Sequence, residues 1–238
     1  QNNYKADLDL QINRRNRGKI GFQFTSIDNN SFRTNYTTEK RDPRNEFNYK
    51  PEIYAVYAQN RTDLGDFVFD YGLRYDGFQH NTNWGITSLD PWGEHVDPRT
   101  LYEWSPRFDV AFPVTDKSQL RFSYGAFTQL PSLDMMYAGS SGGSPFMNPG
   151  GLEFSRTDAF EAGLSYLVTN DMALDLVAFY RDVDGNVATK AYFRDYYAWH
   201  RGERIRSWEQ GYVNRDNGNI KGIDLTLRRR FANNFSYT

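Results

Sequence analysis

The sequence predicts an all-β fold: an antiparallel transmembrane β-barrel segment, about nine to ten strands of a larger barrel. Three observations carry that reading. Segments of about ten residues alternate large apolar and polar side chains, as a strand with two unlike faces does. The connections between them alternate short and long, so tight turns gather at one end of the sheet and large excursions at the other. The chain is also both aromatic (17% Phe, Trp and Tyr) and polar, with 24% charged residues and a mean hydropathy of -0.77. A sheet with one greasy face and one wet face produces both properties at once.

The strands follow in order. YKADLDLQIN puts Tyr4, Ala6, Leu8, Leu10 and Ile12 on one face and Lys5, Asp7, Asp9 and Gln11 opposite. KIGFQFT groups Ile20, Phe22 and Phe24. PEIYAVYAQN is apolar on both sides and its facing is ambiguous. FVFDYGLRYDGF sets Phe67, Phe69, Tyr71, Leu73 and Tyr75 against Val68, Asp70, Gly72, Arg74 and Asp76. WSPRFDVAF sets Pro106, Phe108, Val110 and Phe112 against Arg107 and Asp109. QLRFSYGAFTQ sets Leu120, Phe122 and Tyr124 against Arg121 and Ser123. AFEAGLSYL sets Phe160, Leu164 and Tyr166 against Glu161. MALDLVAFYRD sets Leu174, Leu176 and Tyr180 against Asp175 and Arg181. KGIDLTLRR sets Ile223, Leu225 and Leu227 against Asp224 and Arg228. Helical spacing is sustained nowhere, and PSLDMMYA is at most a turn or two of helix inside a connection.

RRNRG, RTDLGD, PVTDKS, LVTND and RFANN are the short connections, rich in tight-turn residues. The long ones run from Asp28 to Lys50, Gln79 to Tyr102, Leu130 to Arg156 and Asp184 to Gln210. Outer-membrane barrels sort their connections this way, with short periplasmic turns and long extracellular loops. A Greek-key sandwich mixes lengths at both ends. The charges decide the facing. Asp70, Arg74, Arg107, Asp109, Arg121, Glu161, Asp175, Arg181, Asp224 and Arg228 all fall on the polar face and are assigned to the lumen. Arg or Lys on the lipid side at mid-membrane costs ~2–4 kcal/mol. In lipid every backbone amide needs a partner, so a spanning sheet must close.

A net charge of -2 supplies no basic surplus for nucleic acid. The absence of cysteine excludes disulfides and thiolate metal sites. No apolar run approaches the ~18 residues of a spanning helix. Gln1 opens without a signal segment and NNFSYT stops partway into a strand, so a piece of a longer polypeptide is expected.

Taken together in order, YKADLDLQINRRNRGKIGFQF, IYAVYAQNRTDLGDFVFDYGLRYDGF, WSPRFDVAFPVTDKSQLRFSYGAFTQLPS, NPGGLEFSRTDAFEAGLSY, LDLVAFYRDVDGNV and GYVNRDNGNIKGIDLTLRR cover most of the chain. This ordered set resembles the barrel of TonB-dependent outer-membrane receptors. It is nearest to the subgroup with a carboxypeptidase-regulatory-like N-terminal domain. The resemblance implies a barrel of about twenty-two strands with a plugged lumen. It implies import of a scarce siderophore, oligosaccharide or peptide, with energy from the TonB complex of the inner membrane. Residues 1–238 would then be a partial barrel domain. The plug domain, the remaining strands and outer-membrane lipid would be its partners. The chain departs from the family pattern at Phe154 and Ser155, where a Pro-Glu pair is common, and at Asp224, where Glu is more common. The first change bears on how a long connection re-enters its strand.

The aromatics of the long connections are the candidate ligand contacts: Trp84, Trp92, Tyr137, Tyr192, Trp199 and Trp208. Packing between loops and anchoring at the bilayer interface are the other readings of the same residues. The inward arginines either line a ligand path or form a ladder with carboxylates that stiffens the wall. Tyr54, Tyr75, Phe78, Tyr124, Tyr180 and Tyr212 lie near strand ends and are expected in an aromatic girdle. GSSGGSP lacks the Lys-Ser/Thr ending of a phosphate cradle. The three histidines are too dispersed for a zinc motif, and the acidic loop residues lack EF-hand spacing. No cofactor is expected. Two other functions compete: a barrel protease using His80 with Asp76 or His200 with Asp195, and a soluble carbohydrate-binding sandwich.

Overall fold

The computed structural model describes the backbone outside 33–45, 82–99, 138–151, 199–202, 233–234 and 238, and side chains outside 29–49, 82–99, 137–151, 191–211 and 230–238. One antiparallel sheet of ten strands runs in chain order. It comprises β1 (Asn2–Gln11), β2 (Asn16–Ser26), β5 (Glu52–Leu64), β6 (Phe67–Gln79), β7 (Leu101–Thr115), β8 (Ser118–Gln129), β9 (Ser155–Thr169), β10 (Met172–Ala198), β11 (Glu203–Ala232) and β12 (Phe235–Tyr237). β3 (Asn29–Phe32) and β4 (Glu46–Tyr49) make a separate small hairpin within the connection from β2 to β5. A five-residue helix, α1 (Leu133–Tyr137), lies in the connection from β8 to β9, where PSLDMMYA predicts a turn of helix.

Register converts the alternation into two faces. Asp70 of β6 pairs with Asp109 of β7, which pairs with Ser123 of β8, and Ser123 pairs with Glu161 of β9. Residues directly opposite one another point to the same side of a sheet, so this row defines the charged face. The same ladders settle β5. Tyr57 pairs with Arg74 and belongs to the charged face, while Val56 pairs with Tyr75 and belongs to the apolar face.

The apolar face is uncovered by any second sheet among the described residues. Leu73 is 44% exposed, Phe160 49% and Leu225 68%. Only seven hydrophobic residues are buried among those described, and none of them makes a core beneath the apolar stripe. A water-soluble sheet does not leave an apolar surface this wide bare. Among the described residues no helix is long and apolar enough to cross a membrane.

Two proline positions limit one ladder. The β7–β8 pairing stops at Arg107 and Gly125, beside Pro106, and its register slips between Pro113 and Thr115. Proline has no N–H to donate, so a ladder weakens where it stands. Within the span expected as a connection from Asp184 to Gln210, the described residues are instead strand. β10 and β11 remain paired from Asn186 with Asp216 to Ala198 with Glu203. A bulge at Gly185, whose φ is +70°, marks the point where this ribbon leaves β9.

Candidate functional site on the charged face

All ten charged positions assigned to the lumen from sequence sit on this one face by register. Opposite charges there neutralise one another within and across strands. Arg74 holds Asp76 with Nε and Nη2 at 2.8–2.9 Å. Arg181 reaches Glu161 at 3.6 Å, and Arg228 reaches Asp175 at 3.1 Å. Ser165 Oγ donates to the other oxygen of Asp175 at 2.5 Å. Arg107 lies over the Phe127 ring at 4.6 Å. Arg121 lies flat over Gly163, where an added Cβ would collide with the guanidinium. At β1, Tyr57 donates its hydroxyl to Asp7, which also meets Lys5 at 3.3 Å.

β1, β2, β5, β6 and β7 curve this face around a concavity of about 490 Å³, lined among others by Lys19, Arg61, Asp70, Arg74, Arg107 and Asp109. Such a surface can guide a polar or charged solute, because its fixed charges supply the hydrogen bonds a desolvated solute loses.

The long-connection end of the same face is closed by a small apolar cap. Phe78, Leu101, Met136 and Leu152 are buried together, with Ile53, Leu133, Phe154, Val187 and Tyr212 packed against them. Phe78 and Tyr212 therefore belong to the cap and not to an outer girdle. The girdle at this end is built instead by Tyr54, Tyr75, Tyr102 and Trp104, with Tyr75 and Trp104 centroids 4.7 Å apart. His80 is 2% exposed and meets Phe78 edge-on at 4.7 Å. Burial pushes its imidazole from the usual 6.5 down to about 4.

Asn214 of β11 ties the cap to the ribbon. Its Oδ1 accepts the Glu153 N–H at 2.7 Å, and its Nδ2 donates to the carbonyls of Glu153 at 3.0 Å and Gly185 at 2.6 Å. Phe154 and Ser155, the family departures, have defined work: Phe154 packs on the cap, and Ser155 Oγ donates to the Gln129 carbonyl at 3.3 Å. Sequence reasoning missed Asn214, because VNRDNGN breaks the alternation that located the other residues.

The aromatic ligand candidates are not brought together among the described residues. Trp84, Trp92 and Trp199 lie outside them, and Tyr137 is described only in backbone, at the end of α1. Tyr192 and Trp208 stand on β10 and β11 and not in a loop, in adjacent pairs of the ribbon register. Of the protease pairs, Asp76 is taken by Arg74 and by Thr128, whose Oγ1 donates at 3.4 Å, and His200 lies outside the described residues.

No curated protein matches the chain by sequence. Solved structures share its fold. The FrpB iron transporter from Neisseria meningitidis is 16% identical at a TM-score of 0.59, covering 94% of this chain and 32% of its own. The siderophore receptor PirA from Acinetobacter baumannii is 13% identical at 0.62, with coverages of 96% and 34%. A mutant ferric enterobactin receptor, PfeA, from Pseudomonas aeruginosa, solved with enterobactin, is 16% identical at 0.65, with coverages of 97% and 33%. The chain thus spans about a third of the length of the structures it resembles. The family description "TonB dependent receptor-like, beta-barrel" matches residues 1–238. With the sorted connections, the two-faced sheet and this match over its whole length, the chain belongs to the TonB-dependent receptor β-barrel family of the bacterial outer membrane.

Proposed function

We propose that the chain is part of the wall of an outer-membrane importer that takes up a scarce solute with energy from the TonB complex. The observation that carries this reading is the charged face, to which register brings the Arg, Asp and Glu residues of successive strands, on a sheet whose other side suits lipid. In this reading a plug domain and further strands complete the barrel, and the ten charged positions line its lumen. Iron–siderophore complexes are the solute class to test first, because structural neighbours bear the names iron transporter, siderophore receptor and ferric enterobactin receptor. The ribbon carrying Tyr192 and Trp208 is the proposed first contact for the solute.

The test is radio-iron uptake from ferric siderophores by cells with and without the intact receptor, each with and without a protonophore. Uptake lost on deletion and on uncoupling is expected. Uptake unchanged by deletion across catecholate and hydroxamate siderophores would reject this solute class. Oligosaccharide and peptide uptake would then be measured in the same strains.

A further inference from the structure

We propose that the short-turn end of β1, β2 and β5 is a docking site for an acidic peptide segment. The turn between β1 and β2 reads NRRNR, Asn13 to Arg17. Asn13 Oδ1 accepts the N–H groups of Arg15 and Asn16 at 2.9 Å each, which fixes the turn and the origin of both arginine side chains. Arg17 then enters β2 on the charged face, directly opposite Arg61 of β5. Like charges directly opposite each other destabilise a sheet, so the pair calls for anions. Two carboxylates attend Arg61, Asp63 at 3.5 Å and Asp70 at 3.6 Å. Arg17 Nε donates to the neutral Gln11 Oε1 at 3.3 Å. Around these groups is a cavity of about 330 Å³ lined by Gln11, Arg14, Arg15, Arg17, Arg61 and Asp63, four arginines against one aspartate.

Guanidinium forks match a carboxylate or a phosphate equally well, so the surroundings decide the ligand. Gln11, Arg17 and Arg61 share the charged face, whereas a lipid headgroup approaches from the apolar side. Asp63 opposes a compact polyanion such as phosphate but accepts a peptide N–H. Arg17 and Arg61 also line the larger concavity, where six cationic side chains stand against Asp9, Asp70 and Asp109, although Asp7 already meets Lys5 and Lys19; the positive surplus extends from the turn for an acidic chain to follow. A segment with two or more carboxylates fits all three conditions. The site stands apart from the imported solute, whatever its class.

The test titrates the full receptor, refolded in zwitterionic detergent, into a fluorescein-labelled tetraglutamate peptide at low salt, read by anisotropy. Saturable binding is expected, weakened at least tenfold by Arg17→Gln with Arg61→Gln. Arg14→Ser with Arg15→Ser, which touches only the turn, is expected to weaken it as well. Heat-modifiable gel migration checks that each variant is folded. Unchanged binding in both double variants overturns the proposal, and so does equal binding of a tetralysine peptide. Inorganic phosphate displacing the peptide at equal concentration reassigns the pocket to phosphate and also overturns it. Partition of the receptor into phosphatidylglycerol vesicles is expected to be the same for all variants; a loss that follows the arginines moves the site to the membrane surface and defeats the proposal.

Discussion

His80 shows how one buried side chain can make the cap sensitive to acid. Its folded-state pKa of about 4 lies below the unfolded value of 6.5, so the unfolded chain takes up the proton first as pH falls. Stability from this group is therefore full above 6.5 and is lost between 6.5 and 4, on the order of 3 kcal/mol at the low end. Hydrogen-exchange protection of Leu101 and Met136 is expected to fall over that window in the wild type and to flatten in His80→Gln. Asp171 carries the same sign at lower pH. Thr169 Oγ1 at 2.6 Å and Arg229 Nε at 3.0 Å donate to its carboxylate and hold it below the usual carboxylate range. On the charged face, Gly163→Val removes the seat of Arg121. With its seat filled, the exposed arginine must swing off the wall, and a change within about 1 kcal/mol is expected in urea unfolding from lipid vesicles.

At the scale of elements, Asn214 is the joint between the cap and the ribbon. Asn214→Ala leaves the Glu153 N–H and two carbonyls to water, at a local cost of about 0.5–1.5 kcal/mol. Faster amide exchange at Glu153 and Gly185, with β5 and β6 unaffected, is the expected result. The bilayer-length strands were legible in the sequence because each buries one face and so must alternate, as Phe67 to Tyr75 does. The upper halves of β10 and β11 were not legible. From Asn186 and Asp216 onward the described pairing is only between these two strands, and no further strand of the sheet imposes an alternation on them. The cap was invisible for another reason. Phe78, Leu101, Met136 and Leu152 come from three separate segments and carry no common period. The inward arginines were placed on the right face by period alone, yet their partners depend on register, which turn lengths set and the sequence does not display.

For the whole molecule, the decisive quantity is which solvent each face meets. Leu73→Arg places a cation in hydrocarbon, a cost of ~2–4 kcal/mol at mid-membrane, whereas Asp70→Leu removes one charge from a wet wall. Folding yield in phospholipid vesicles is expected to drop for the first and to hold for the second; equal yields would contradict the facing. Thickness separates the strands further. β1 to β9 include sheet strands of 10 to 15 residues, near the length a tilted strand needs to cross, while β10 has 27 and β11 has 30. Beyond the bulge, Asn186–Ala198 at ~3.3 Å per residue adds roughly 40 Å of rise. Such a mast would stand clear of the lipid headgroups, within reach of an antibody, a phage tail or an external protease. An epitope inserted at its tip should label intact cells without disturbing the wall that holds it up.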